Sequence, residues 1–176
     1  WNLAVELAPT SRRGAVYGPA STFDDEVGLI LEIKEGPWEY EWTPLNADTF
    51  ATTGGDGEHY SILHVNDGRS IDECPIVMTV PMAFEAANHI VGETFREFLC
   101  LAGHVGFTVP PGLAYESERA RALRTLALSR REDTDTEGRA RLELFSKRLS
   151  LAPWPHVEQR LEDLRLQYMP MLKLRS

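Results

Sequence analysis

The first two-thirds of the chain contains short runs in which apolar and polar positions alternate or branched apolar residues cluster. The clearest run is WEYEWTP, where Trp38, Tyr40 and Trp42 fall on one side of an extended chain and Glu39 and Glu41 on the other. A period of two is typical of a half-buried strand, and the Gly-Pro pair before it is typical of a hairpin turn. The segments predicted as strands are 27–33, 38–44, 59–65 and 74–81. Because their connections are short, they favour one largely antiparallel sheet.

The apolar period changes after Pro81, from that of strands to that of helices. One stripe at helical spacing stops at Gly103 and consists of Val91, Phe95, Phe98, Leu99 and Ala102. Three further helices are predicted over 116–131, 137–149 and 156–168. Strands first and helices after predict an α+β fold, a single mostly antiparallel sheet flanked by helices with a helical C-terminal part. We expect one domain over 1–176, with the strands and one helix in 1–112 and a helical extension, 113–176, packed on it.

Composition indicates an ordinary globular chain, since 176 residues suffice for one domain with a sizeable core. The two cysteines make a disulfide framework improbable. No apolar run approaches the roughly 20 residues of a membrane span, and no secretory leader is visible. We therefore expect a cytoplasmic protein that does not contact a membrane.

The net charge of −9 is unevenly distributed along the chain. Residues 1–110 carry a net charge of −12, and residues 111–176 carry +3. An acidic first part argues against nucleic acid as a ligand and suits a basic protein partner. The arginines of the later helices alternate with acidic residues, which is typical of a solvated helix face.

The stretch TTGGDGEHYSIL, residues 52–63, is a candidate ligand site. A phosphate-binding glycine loop would be followed by a helix, whereas a strand follows here, and Asp56 and Glu58 would repel a phosphate. His59 and His64 are five positions apart on that strand, so they point to opposite faces and do not easily share a metal ion. We predict a turn with positive φ at one or two glycines, leading into a core strand.

The sequence predicts no catalytic residues and no cofactor. Cys100 lies inside a helical stripe and not at an exposed helix start, where a thiolate would be favoured. Glu39 and Glu41 share one strand face without a neighbour that would raise either pKa, so general-acid work is unsupported.

The block from Phe50 to Phe107 resembles the SUKH superfamily, which includes the yeast cell-wall-synthesis regulators and many bacterial toxin-immunity proteins. FATTGGDGEHYSIL resembles the glycine-rich turn of that family and the strand that follows it, and PIVMTVP resembles its next strand. IVGETFREFLCLAG resembles the following helix, in which Phe95, Phe98 and Leu99 match a Phe-x-x-Phe-Leu signature. The N-terminal helix with which the family opens is not evident in this sequence.

The resemblance implies a binding protein and not an enzyme, in bacteria usually one that neutralises a toxin by covering its active surface. The partner would be a protein, such as a basic toxin domain. Two alternatives remain: a regulatory scaffold of the cell-wall-synthesis type, and a small hydrolase with a metal at Asp56 and His59. The acidic residues expected to meet a basic partner are Asp24, Asp25, Glu26, Glu39 and Glu41.

Reversing the charge of Glu39 and Glu41 is expected to slow association with a basic partner and to weaken its salt dependence, because long-range attraction raises the encounter rate. Stopped-flow association at low salt measures this effect. An unchanged rate would remove these two residues from the interface.

Overall fold

Five strands in the described part of the chain form one antiparallel sheet, in which each strand pairs with its neighbours in sequence. The computed structural model describes residues 2–24, 27–31, 40–65, 68–131 and 136–175, apart from the side chain of Arg12. The strands are β1 (Ile30–Leu31), β2 (Ala47–Thr52), β3 (His59–Leu63), β4 (Ile76–Thr79) and β5 (Asn88–Gly92). The predicted antiparallel sheet is therefore confirmed.

Helices precede the sheet and follow it. They are α1 (Asn2–Leu7), α2 (Arg12–Tyr17), α3 (Phe95–Ala102), α4 (Glu116–Leu128), α5 (Thr136–Arg148) and α6 (Val157–Tyr168). The α+β class and the helical C-terminal region agree with the sequence analysis. Within the described residues, no helix combines the length and the apolar character that crossing a bilayer requires.

The predicted strand 38–44 is wrong over its described part, because residues 40–44 form a turn segment outside the sheet. The backbone N–H of Thr43 donates to the carbonyl of Tyr40, and the carbonyl of Trp42 accepts from the Asn88 side chain. Tyr40 and Trp42 are therefore half-buried in a segment that is attached to the sheet but does not pair within it. Trp38 and Glu39 lie outside the described residues.

Two strands were missed because their residues are atypical for strands or fit another pattern. β2 has the sequence ADTFAT, which lacks a clear alternation. Val91 fits the helical stripe, but it belongs to β5, and α3 begins only at Phe95. Thr94 separates the two elements, because its hydroxyl accepts from the Glu97 N–H and caps the helix.

An aromatic cluster joins the sheet to the segments that cover it. The rings of Tyr60 and Phe98 are 4.8 Å apart, and those of Phe98 and Phe107 are 4.7 Å apart. The buried Tyr60 hydroxyl donates to the Phe107 carbonyl at 2.5 Å. Gly92 allows this approach, because a Cβ there would lie 2.6 Å from the Phe98 backbone nitrogen. The Phe-x-x-Phe-Leu stretch therefore contributes to the packing of α3 on the sheet.

A charged network fastens α6 to the connection between β5 and α3. Arg160 donates to Glu93 at 2.7 Å and to Glu97 at 2.8 Å. Tyr168 donates to the other oxygen of Glu93 at 2.7 Å, and Trp154 donates to the Glu97 carbonyl at 2.9 Å. The hydrogen bonds from Tyr168 and Arg160 lower the pKa of Glu93. Arg160 thus holds two neighbouring carboxylates that would otherwise repel each other.

Arg160→Met is expected to lower the free energy of unfolding by about 2 kcal/mol, because Glu93 and Glu97 lose their shared cation in a partly buried setting. Arg165→Met on the same helix is the control. It breaks only an exposed pair with Glu162 and is expected to cost about 0.5 kcal/mol or less. Urea denaturation measures both, and equal losses would contradict the structural role of the network.

Candidate functional site

One row of paired residues marks the end of the sheet at which two connections emerge. Thr52 pairs with His59, His59 with Thr79, and Thr79 with Asn88. The β2–β3 turn, 53–58, and the β4–β5 connection, 80–87, therefore leave the sheet side by side. We call these two connections, with segment 40–43 that contacts them, the turn end.

The row is polar and buried, and its side chains are hydrogen-bonded. The Nδ1 of His59 is 2.7 Å from the Gly57 carbonyl, which can only accept, so Nδ1 carries the proton. The unprotonated Nε2 then accepts from the Thr43 hydroxyl at 2.8 Å. Burial lowers the pKa of His59, which agrees with a neutral ring. The bonds of His59 hold the turn and segment 40–43 together.

Further along the row, a second pair of hydrogen bonds attaches segment 40–43 to β5. Thr79 donates to the Asn88 side-chain oxygen at 2.8 Å, and the Asn88 amide donates to the Trp42 carbonyl at 3.0 Å. Segment 40–43 is thus bound to β3 and to β5, which places it over this end of the sheet.

The glycine-rich stretch forms the turn that the sequence predicts. Gly54 and Gly57 have φ values of 79° and 74°, and Asp56 between them has a φ of 42°. A Cβ on Gly57 would lie 2.9 Å from the Tyr40 ring, which stacks on the His59 ring at a centroid distance of 5.3 Å. Gly57 is therefore required both for its backbone conformation and for the close approach of Tyr40.

Carboxylates gather around Tyr115, which precedes α4. The pKa of Tyr115 is raised by burial and then by the charges of Glu58, Asp56 and Glu118. Burial also raises the pKa of Glu58, whose carboxylate accepts from the Thr53 hydroxyl at 2.7 Å. The start of α4 is therefore within electrostatic range of the β2–β3 turn, and Glu118 there pairs with Arg121 at 2.6 Å.

Exposed apolar and acidic side chains share the turn end. Met82 and Phe84 in the β4–β5 connection are 57% and 62% exposed. Glu85 beside them, Glu41 and Asp56 are also exposed. Within the described chain, these three carboxylates form no ion pair. Exposed carboxylates and exposed apolar side chains therefore lie at the same end of the sheet.

The structure describes two of the five acidic residues expected to meet a partner. Glu41 lies in the turn end itself. Asp24 pairs with Arg13 at 3.1 Å, and its Oδ1 would be 3.8 Å from a Cβ on Gly54, so it borders the same turn. Asp25, Glu26 and Glu39 lie outside the described residues.

The two histidines considered for metal binding are hydrogen-bonded to protein groups, whereas Asp56 is exposed in the β2–β3 turn. Both ring nitrogens of His59 have protein partners, and His64 bonds to Asp48 at 2.8 Å. Among the described residues, no group of three or more His, Cys, Asp or Glu side chains could hold a metal ion. Cys74 is buried, and Cys100 is half-buried on α3.

Several residues of the turn end were not expected from the sequence. Phe84 and Met82 lie in an uncharged run after a predicted strand, and Pro81 was the available signal that this run leaves the sheet. Tyr115, outside the turn end, stands at a helix start, and only the fold brings it within electrostatic range of Asp56 and Glu58.

Comparisons with protein-family models, with curated proteins and with solved structures find no match to this chain.

His59→Leu is expected to lower stability at neutral pH by about 1–3 kcal/mol, because Thr43 and Gly57 lose a buried partner. It is also expected to reduce the pH dependence of stability. The folded-state pKa of His59 lies below its ordinary value of 6.5, so the unfolded state binds the proton more tightly. The contribution of a neutral His59 to the free energy of unfolding is therefore complete above about pH 6.5 and is lost as the pH decreases from there.

Denaturation between about pH 7.5 and 5.5 measures this loss. Burial lowers the pKa of His89 too, so His59→Leu leaves a smaller loss of the same sign. Thr79→Val is the control, because it removes a hydrogen bond of the same row without removing a titratable group, and it should keep the full loss. A pH dependence unchanged in His59→Leu would contradict the role assigned to this histidine.

Proposed function

We propose that this chain is a cytoplasmic, non-enzymatic protein-binding module, and specifically an immunity protein that neutralises a cognate bacterial toxin. The observation that supports this proposal is the turn end, where carboxylates that form no ion pair within the described chain lie at the same end of the sheet as exposed apolar side chains. Such a surface suits a protein partner that is basic around an apolar centre.

The two components of the surface have different physical tasks. Carboxylates exposed to solvent attract a basic partner over about one Debye length and raise the rate of encounter. Burial of Met82, Phe84 and the half-buried Trp42 on contact would supply affinity and slow dissociation. A toxin covered in this way would lose access to its own substrate without any chemistry by this chain.

The residues that carry the SUKH resemblance contribute to the same surface or support it. The glycine turn shapes the rim at Asp56, Tyr60 lies in the core below it, and Phe98 packs α3 against the sheet. The family opens with an N-terminal helix that leads to a Leu-Pro turn; a helix is present here as α1, but Ala8 stands before Pro9 in place of the leucine. These features support membership of that superfamily as a proposal.

A regulatory scaffold with two partners is the second candidate, because the chain carries another surface of opposite charge. A cavity of about 340 Å³ lies along α4, and most of its charged lining is basic: Arg121, Arg124, Arg130 and Arg131. Glu118 also lines it and pairs with Arg121 at 2.6 Å. A scaffold would use this basic cavity and the acidic turn end together, whereas an immunity protein needs only the turn end.

Affinity purification from the native organism, with the tagged chain as bait and quantitative mass spectrometry as readout, tests the proposed function. An immunity protein should retain one basic protein stoichiometrically, and the purified complex should lack the toxic activity of that protein. Two partners bound at once would favour the scaffold. Absence of any stoichiometric partner, or a captured partner that keeps its full activity, would contradict the immunity proposal.

Neutralising the three exposed acids of the turn end is expected to slow association with the captured partner by roughly tenfold at low salt. The variant is Glu41→Gln, Asp56→Asn and Glu85→Gln; Asn is chosen at position 56 because it tolerates positive φ. The difference should shrink at high salt, and stopped-flow fluorescence measures it.

The control variant neutralises three exposed acids on the C-terminal helices: Glu137, Glu143 and Glu158. It changes the net charge by the same amount, so it separates a local effect from a general one. Equal slowing in the two variants would mean that the turn end does not guide the partner.

A further inference from the structure

Phe84 has a backbone conformation that L-residues with side chains rarely adopt. Its φ is 50° and its ψ is −115°. These angles are close to those of the first central position of a type II′ turn, where glycine predominates because a Cβ is crowded. A bulky residue held there stores strain, and strain of this kind concentrates at functional sites.

The fold does not compensate for this strain by burying the side chain. Phe84 is 62% exposed, so its ring contributes little to the core. The other non-glycine residues with positive φ in the described chain are all polar, and they are Asp56, Ser129, Ser150 and His156. Phe84 is the one large apolar residue in this set within the described chain. Stability of the fold does not explain why a phenylalanine occupies this position.

Backbone hydrogen bonds hold the loop that carries Phe84. The Val80 N–H donates to the Ala87 carbonyl at 2.8 Å, and the Ala87 N–H donates to the Phe84 carbonyl at 2.9 Å. Ala83 packs against the core, while Met82 and Phe84 on either side of it are exposed. A loop whose backbone is already ordered loses less conformational freedom when a partner binds it.

The surroundings of Phe84 define the chemistry that would receive it. Glu85 is next in the chain, and the β2–β3 turn with Asp56 emerges from neighbouring strands, at a distance on the order of 10 Å. An apolar pocket that accepts the ring would therefore face carboxylates at its edge. Lysine or arginine side chains at that edge would complement them.

We propose that Phe84 is the anchor residue of the turn end and inserts into an apolar pocket, rimmed by basic side chains, on the protein partner. Met82 packs at the side of the same pocket. This inference rests on the proposed function, since it names the residue through which that surface binds.

The test compares Phe84→Gly and Phe84→Ala with the unaltered chain, using the partner purified in the affinity experiment as the probe. Both variants should weaken binding by about 30-fold or more, as truncation of an anchor residue does. They should differ in stability, because glycine fits the backbone of position 84 and alanine does not. We expect Phe84→Gly to melt about 2–4 °C above Phe84→Ala.

The stability difference distinguishes an anchor from a structural residue. A residue retained for the fold would lose stability in both variants, whereas the anchor should lose affinity in both and recover stability with glycine. Leu166→Ala is the control, because Leu166 is equally exposed at 62% but lies on α6. It should leave the affinity unchanged within twofold.

Placing a photo-cross-linking phenylalanine analogue at position 84 locates the pocket on the partner. The cross-linked peptide should be apolar, with lysine or arginine close to it in the partner. A cross-link to an acidic or fully polar segment would overturn the inference, as would an affinity unchanged in both Phe84 variants.

The outcomes separate this inference from the proposal on which it rests. If the acid-neutralised variant binds slowly and the Phe84 variants bind normally, the turn end is the interface and Phe84 is not its anchor. If no partner is captured, both the proposed function and the anchor are refuted.

Discussion

The two hydrogen bonds of the buried His59 are the interaction on which the turn end depends. One bond holds Gly57 and therefore the β2–β3 turn, and the other holds Thr43 and therefore the segment that crosses the sheet. Both require a neutral ring with the proton on Nδ1, because a carbonyl can only accept. A polar row inside a sheet is stable only when every member has a partner, and the neighbouring Thr79 and Asn88 also satisfy this condition.

Different residues form the exposed surface of the turn end and the buried row that supports it. The row below the turn end is buried and directional, and it sets where the backbone runs. Above it lie exposed carboxylates and apolar side chains that contribute little to packing. A chain built in this way can change the identity of its contact residues without changing its fold, because loops carry them while strands hold the loops in place.

Acidic and basic residues are concentrated in different parts of the sequence and also on different surfaces of the described structure. Acidic residues dominate the turn end, whereas most of the charged residues that line the cavity along α4 are arginines. Arg160 shows a third use of charge, since its contacts with Glu93 and Glu97 bind α6 to the sheet. Carboxylates of the described chain therefore occur both as exposed groups of the turn end and as partners in a network that maintains the structure.

Sequence and structure agree where a local pattern has a single physical cause. The apolar steps of α6, the strand over 59–63 and the turn at Gly54 and Gly57 all follow from the preferences of nearby residues. Predictions from local patterns were wrong where a contact between residues distant in sequence determined the structure. Tyr40 and Trp42 alternate as in a strand, but hydrogen bonds to His59 and Asn88 hold their segment above the sheet.

The sequence by itself determined the fold class, the position of the charge and the conformation of the glycine turn, because each depends on composition or on neighbours along the chain. Only the tertiary structure decided which side chains meet. The register of four strands brings the Asp56 turn beside the Phe84 loop, although the two are far apart in sequence. Strand pairing creates that juxtaposition, and no local pattern of residues encodes it.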